Sequence, residues 1–312
     1  MTTAAPTPGA IMRPPLGDLL LLGVGVAAVS TSGPLIAAAA AAPALAIAFW
    51  RNALGAGLTS PFTLVAQHRA LRALTRREWL VSGAAGLLLA AHFALWIPAL
   101  GFTSVASGTA LTAVQPIWAA LIARAAGHRV PARAWLGMAI AFGGVVLLTG
   151  VDVSISPRGL VGDVMALAGG VFAAAYMTVG GLARRTVPTG VYTMLAYTAC
   201  ALALLLACLV GGARLGGYPS HVWIELFALT LGPQLLGHTV FNRVLRTTSA
   251  TVVSLAILLE VPGAGLIAWV WLGQHPPVAA FPAAVLLLVG IGVVVTADRS
   301  VERDTEGARL AE

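Results

Sequence analysis

The sequence predicts an all-α integral membrane protein of ten transmembrane helices, arranged as two inverted five-helix repeats with both termini cytoplasmic. Three observations lead there. The first is composition: the 312 residues are 59% hydrophobic and 9% charged, with a mean hydropathy of +0.92. So little polar surface cannot cover a water-soluble globule of this size. The second is an internal repeat. One constant offset aligns Gly86 with Gly232, His92 with His238, Pro116 with Pro262, Gly127 with Gly273, Pro131 with Pro277 and Gly144 with Gly290. Upstream, a shift of one residue aligns Gly17-Asp18 with Gly162-Asp163, Gly25 with Gly170, and Pro43 with Pro188. Self-similarity without a gap marks a duplicated unit. The third is the placement of basic residues, all of them arginine.

Apolar segments long enough to span fall at 18–38, 43–65, 78–99, 103–124 and 133–151, and again at 160–182, 190–211, 221–242, 248–272 and 279–297. Each approaches the roughly 20 residues a helix needs to cross the hydrocarbon. With the N-terminus inside, Arg13, Arg69, Arg72, Arg76, Arg77, Arg124, Arg129, Arg133, Arg184, Arg185, Arg243, Arg246, Arg299, Arg303 and Arg309 all become cytoplasmic. Only Arg158 and Arg214 then lie outside, and Arg51 lies within a helix. Cytoplasmic loops hold the excess of basic residues, so this asymmetry sets the orientation. The resulting division is a cytoplasmic tail at 1–17, a first repeat at 18–151, an extracytoplasmic linker at 152–159, a second repeat at 160–297 and a cytoplasmic tail at 298–312. Because each repeat holds an odd number of helices, the second enters the membrane upside down. The net charge of +7 is accounted for by topology, without a nucleic-acid partner.

Residues 1–17 are rich in Pro, Ala and Thr, and the apolar run after them is longer than a signal-peptide core, although Ala37-Ala38-Ala39 imitates a cleavage site. Cys200 and Cys208 fall in one expected helix, eight residues apart. That is roughly 12 Å along its axis, too far for a disulfide.

Ten of the acidic residues sit at membrane ends or in the tail, among them Asp18, Glu78, Asp152, Asp163 and Glu225. Glu260 alone falls near a helix centre, and Arg51 is the other charge within a span. A charge at that depth costs at least about 2.5 kcal/mol and normally faces a cavity or a partner. Two readings stay open: a structural pair between Arg51 and Glu260, or coupling to a solute or proton. The expected eighth helix places Gln234, His238 and Asn242 at four-residue spacing, and the third places His92 and Trp96 at matching positions. These residues line a pathway on one reading and are neutral hydrogen-bonded groups on the other. The fourth helix places Ser104, Gly108, Thr112, Gln115 and Trp118 on one face. Pro116 and Pro262 each remove a backbone donor and free the carbonyls of Thr112 and Leu258. Interruptions at corresponding places in two halves point to a binding site, although a plain kink satisfied by neighbours remains open. Trp50, Trp118, Tyr176 and Tyr197 either wall a cavity or anchor helix ends at the interface.

Other chemistries find no support. Gly23-Val24-Gly25-Val26-Ala27-Ala28 imitates a dinucleotide fingerprint but lacks the acidic residue about 20 positions on and the strand–helix context. No phosphate loop, paired-carboxylate motif or nucleophile elbow is present. No cofactor and no metal site is expected, since neither His92 nor His238 has a second ligand at helical spacing.

The pattern resembles the ten-helix drug/metabolite transporter superfamily, of the EamA type. The resemblance covers nearly the whole chain and rests on Thr103-Ser104-Val105-Ala106-Ser107, Pro116, Gly143-Gly144, Gly162-Asp163 and Glu260-Val261-Pro262. It implies an exporter of amino acids, metabolites or drugs, with a central cavity between the halves and proton or gradient coupling. Two departures stand out. The family carries an acidic residue after the glycine that closes helices 4 and 9, where this chain has Gly127-His128 and Gly273-Gln274, and Val261 intervenes in the family's Glu-Pro step.

The expectation is an inner-membrane transporter moving a small organic solute by alternating access, with a proton as coupling ion. A passive channel or uniporter, and a membrane-embedded enzyme, are the rival readings. Glu260 and either histidine would couple, and Gln115, Gln234, Asn242, Trp96 and Trp118 would recognise the solute.

Overall fold

A computed structural model describes residues 16–127, 130–155, 157–237, 240–241, 244, 257, 259–276, 278 and 281–293. Among these every regular element is helical. Proline sets most of the interruptions. The chain enters as α1 (Leu16–Ser30) and continues after Thr31 as α2 (Ser32–Ala38). Pro34 has no N–H to offer the Ser30 carbonyl, and the Thr31 hydroxyl turns back to donate to Ala28 O at 2.7 Å. One expected span is therefore two helices. Next come α3 (Ala44–Ala66), the short α4 (His68–Arg72) and α5 (Arg76–Ala99). A capping box starts α5: Glu78 N–H donates to Thr75 Oγ1 at 3.3 Å and Thr75 N–H to Glu78 Oε2 at 2.8 Å.

The expected fourth helix is broken into α6 (Val105–Thr112) and α7 (Gln115–Ala125). Pro116 stands at the start of α7 and leaves the Thr112 carbonyl without its helical donor. The residues expected on one face, Ser104, Gly108, Thr112, Gln115 and Trp118, are divided by the turn at Ala113-Val114, although Thr112 and Trp118 still approach the same glycine, Gly170. Ser104 instead caps α6, accepting from Ser107 N–H at 3.0 Å.

Long helices follow: α8 (Ala132–Ile155), α9 (Gly159–Ala183) and α10 (Thr189–Val210). The first of these runs past its expected end at 151. Then α11 (Ser220–Leu229) passes directly into π-helical turns over Thr230–Gly237, where Pro233 withholds its N–H. Last are α12 (Glu260–Leu272) and α13 (Phe281–Val293). Like α7, α12 opens just before a proline, Pro262. Leu258, whose carbonyl was expected to be freed, lies outside the described residues.

Among the described residues, five segments are long and apolar enough to cross a membrane: Leu16–Ala38, Arg76–Ala99, Val105–Ala125, Gly159–Ala183 and Thr189–Val210. Shorter apolar helices accompany them at Ala132–Leu147, Glu260–Leu272 and Phe281–Val293. Though long enough, α3 is left out of that set, because Arg51, Asn52, Thr59, Ser60 and Thr63 dilute it. Its first half, around Arg51 and Asn52, is buried against protein, chiefly α10, while the second half exposes Leu58, Phe62, Leu64 and Val65.

The two sequence halves interlock. From the first, α5 packs along α9 and α10 of the second, around Leu89, Phe93, Ile97, Tyr197 and Leu204. A second core joins α6, α8, α9, α12 and α13 through Leu111, Ala141, Ala166, Val261 and Leu287. Small residues permit the approach, as is usual for helices in lipid. A Cβ on Gly144 would lie 2.9 Å from Ala283 O, and one on its repeat partner Gly290 would lie 2.6 Å from Gly137 O. The repeated glycines thus bring α8 and α13 into backbone contact from both sides. Another repeated pair, Gly127 and Gly273, ends α7 and α12 with φ of 89° and 66°, a conformation open to glycine. Large apolar side chains such as Phe62, Val65, Leu206, Val210, Leu266 and Val270 face outward, as a lipid-facing surface requires.

Candidate functional site

Arg51 is the most deeply buried charge among the described arginines, with 2% of its surface exposed. Its Nε–H donates to Gln234 Oε1 at 2.5 Å and its Nη1–H to Ser32 Oγ at 3.0 Å. The guanidinium carbon lies 4.5 Å above the centre of the Phe93 ring, a cation–π contact. Gln234 Nε2 donates onward to Asn52 Oδ1 at 3.3 Å, and Asn52 Nδ2 donates to Ala48 O at 2.9 Å. The Thr230 hydroxyl donates to Leu226 O at 2.8 Å and approaches Arg51 O at 3.5 Å. One cation is therefore fixed by neutral groups from α2, α5 and the π-helical turns. A π turn widens the helix by one residue, an irregularity that recurs at functional sites.

Glu260 opens α12 and is half-buried. It lies within electrostatic range of Arg51, yet no ion pair joins the two. The rotation of α3 aims Arg51 at Gln234 and Ser32, and Glu260 stands at the start of α12.

His92 and Trp96 are buried on α5, at 9% and 5% exposure. The His92 Nδ1 is 3.0 Å from Gly169 O on α9. Since a carbonyl only accepts, Nδ1 carries the proton, which leaves Nε2 as the acceptor of the neutral ring. The imidazole stacks on Trp96, with centroids 5.7 Å apart and planes 11° from parallel. Gly169 and Gly170 form a pass between two tryptophans: a Cβ on Gly169 would lie 3.3 Å from Trp96 Cβ, and one on Gly170 3.5 Å from Trp118 Nε1. The freed Thr112 carbonyl is 3.2 Å from the same Gly170 position, and the Thr112 hydroxyl donates to Ala166 O at 3.3 Å. Gln115 starts α7, half-buried, with no hydrogen bond to a described residue.

Tyr197 is buried with Phe93 and Trp96, and Tyr176 packs against the same cluster. Trp50 also packs against this cluster; its Nε1–H donates to Leu215 O at 2.9 Å and its ring meets Trp223 edge-on at 5.0 Å. His238 and Asn242 lie outside the described residues, as do Arg13, Arg129, Arg243, Arg246, Arg299, Arg303 and Arg309. Four participants were not singled out from the sequence: Ser32, Asn52, Phe93 and Thr230. Asn52, directly after Arg51 in an apolar stretch, carried a readable signal; the others did not. Asp163, expected at a membrane end, is 1% exposed, because Gly162 lets α9 pack against Ala99 O and Phe102. Gln274 replaces an expected acid with a cap: its Oε1 accepts from Val105 N–H at 3.2 Å, tying the end of α12 to the start of α6. Among the described residues, no three His, Cys, Asp or Glu side chains gather as metal ligands do.

Apolar outward faces, a duplicated helical unit and a polar network sealed between the halves define a multi-pass membrane protein. Residues 15–150 and 160–296 each match the EamA-like transporter family, and the chain belongs to that family. Its members are transporters of small solutes rather than enzymes. A crystal structure of another protein, 20% identical in sequence, shares the fold with a TM-score of 0.65 over 92% of this chain and 99% of its own. No curated protein matches the chain.

Proposed function

We propose that this chain exports a small organic solute across the inner membrane by alternating access, with proton movement coupled through Glu260. In this reading ten helices form two inverted halves, 18–151 and 160–297, joined by an extracytoplasmic linker at 152–159, with cytoplasmic tails at 1–17 and 298–312. Inverted halves that rock around a central site are a recurring transporter design. The observation that carries the reading is Arg51: a cation buried between the halves, held only by neutral groups, with the Glu260 carboxyl near but not bound to it. An intramembrane charge left without a counter-ion is costly, and function is the usual reason to keep one. Trp96, Gln115, Trp118, Tyr176, Tyr197, Gln234 and Asn242 contact the solute, and His92 and His238 stand along its path.

Proteoliposomes loaded with a pH indicator test this directly. Amino acids, nucleobases and cationic drugs are offered to the wild-type protein and to Glu260→Gln. Solute-dependent proton flux that is lost in the variant supports coupling. Solute movement without proton flux in either protein makes the chain a uniporter, and full activity in the variant removes Glu260 from the mechanism.

A further inference from the structure

The guanidinium of Arg51 is only partly used. Its Nε–H and one Nη1–H are committed to Gln234 and Ser32. The other Nη1–H and both Nη2–H groups meet no acceptor among the described residues. Glu260 does not fill that edge, since no ion pair joins it to Arg51. Around the same cluster two further donors are unmet. Trp96 Nε1, one turn along α5 from the Phe93 ring that supports Arg51, is buried and meets no acceptor among the described residues, and the same holds for Trp118 Nε1 across the Gly169-Gly170 pass. A buried charge and two indole N–H groups without acceptors describe a site that lacks something negative and acceptor-rich.

We propose that Arg51 anchors a carboxylate of the transported solute, so that the substrate class is small organic acids. The inference rests on the transporter reading above and names the chemistry of that same site. A planar guanidinium edge matches a carboxylate bidentately, through two charge-assisted hydrogen bonds. The Gln234 and Ser32 contacts fix the fork and pre-orient it, so little freedom is lost when an anion docks. The apolar body of the solute lies against Trp96, whose N–H takes a second acceptor. A cation would meet an immobile like charge here, and a neutral amide would leave the charge uncompensated. A single guanidinium also suits a single negative charge.

Thermal stability of the purified protein in detergent tests this with matched probes: acetate, benzoate and succinate, each against its amide and amine analogue. At least one acid should raise the melting temperature in a saturable way, with its amide weaker by about tenfold or more, the size of one lost charge-assisted contact. The gain should vanish in Arg51→Gln and fall in Arg51→Lys, which keeps the charge but not the fork. The acid-versus-amide comparison in the wild type stands even where Arg51→Gln does not fold. Amides or amines that bind as well as the acids overturn the inference, as does a panel in which no acid binds. Flux in proteoliposomes separates this failure from the broader one. Transport of amines or nucleobases that survives Arg51→Lys overturns the acid assignment alone, whereas absence of flux for every solute tried removes the transporter reading as well.

Discussion

The Nε–H of Arg51 reaches the side-chain oxygen of Gln234 at 2.5 Å, across 183 positions of sequence and from one repeat into the other. Because Gln234 is 1% exposed, no water replaces it when it is removed. Gln234→Leu should therefore cost about 1.5–3 kcal/mol, the range for a hydrogen bond to a charged group. Unfolding in detergent measures it. Pairing the change with Arg51→Leu should recover part of the loss, since both ends of the contact are then apolar. Strict additivity of the two changes would show that the contact carries no coupling.

Backbone contact at the repeated glycines sets a second expectation. A side chain at Gly290 would run into Ala141 N and Gly137 O on α8, and one at Gly86 into Ala196 O on α10. Gly290→Leu and Gly86→Leu should each destabilise by about 1–3 kcal/mol or more through overpacking. A Cβ at Gly83 or Gly143 would meet nothing within 4 Å. Gly83→Ala and Gly143→Ala should be neutral or gain about 0.5–1 kcal/mol from helix propensity. Equal losses at all four positions would discard the contact argument.

The latch between Gln274 and α6 predicts a graded series. Gln274→Ala removes the acceptor for Val105 N–H and should cost about 0.5–2 kcal/mol, as for a lost helix cap. Gln274→Glu keeps an acceptor and adds negative charge at a helix start, worth about 0.3–1 kcal/mol in the stabilising direction. Melting temperatures in the order Glu, Gln, Ala check it, and a Glu variant weaker than Ala would refute the capping role.

Thr75→Ala removes the hydroxyl that accepts from Glu78 N–H and donates to Glu78 Oε2 at the start of α5, leaving only the backbone bond from residue 75 to Glu78. A loss of about 1 kcal/mol follows from the capping box. Serine at the same position should restore most of it; if it does not, the methyl group and not the hydroxyl holds the helix start.

How much of this was readable in the sequence differs from residue to residue. The repeat was legible as identities at fixed spacing, because glycine and proline at helix breaks and close contacts tolerate little else. Pro116 announced the break between α6 and α7, since a missing N–H has a local consequence. The partner of Arg51 was not legible. Spacing places a residue on a face of its own helix but says nothing of how that helix is rotated against its neighbours, and the nearest opposite charge, Glu260, was the natural guess. Ser32 and Thr230 were invisible for another reason: hydroxyl groups are common in apolar helices, where they bond to the preceding turn, and only packing distinguishes those that reach further. The interruption at Thr31 had a signal in Pro34, overlooked because the apolar run continues across it.

The π-helical turns carry one last consequence. The heptapeptide Gly86–His92 lies in a regular stretch of α5, while its counterpart begins in the widened turns of Thr230–Gly237. The two copies keep the same count of residues but not the same pitch, so equal positions no longer point in equal directions. A chimera that exchanged these heptapeptides would preserve every aligned identity and still misplace Gln234. Duplication supplied the parts in matching pairs; the divergence between the two copies is written in the winding of the backbone.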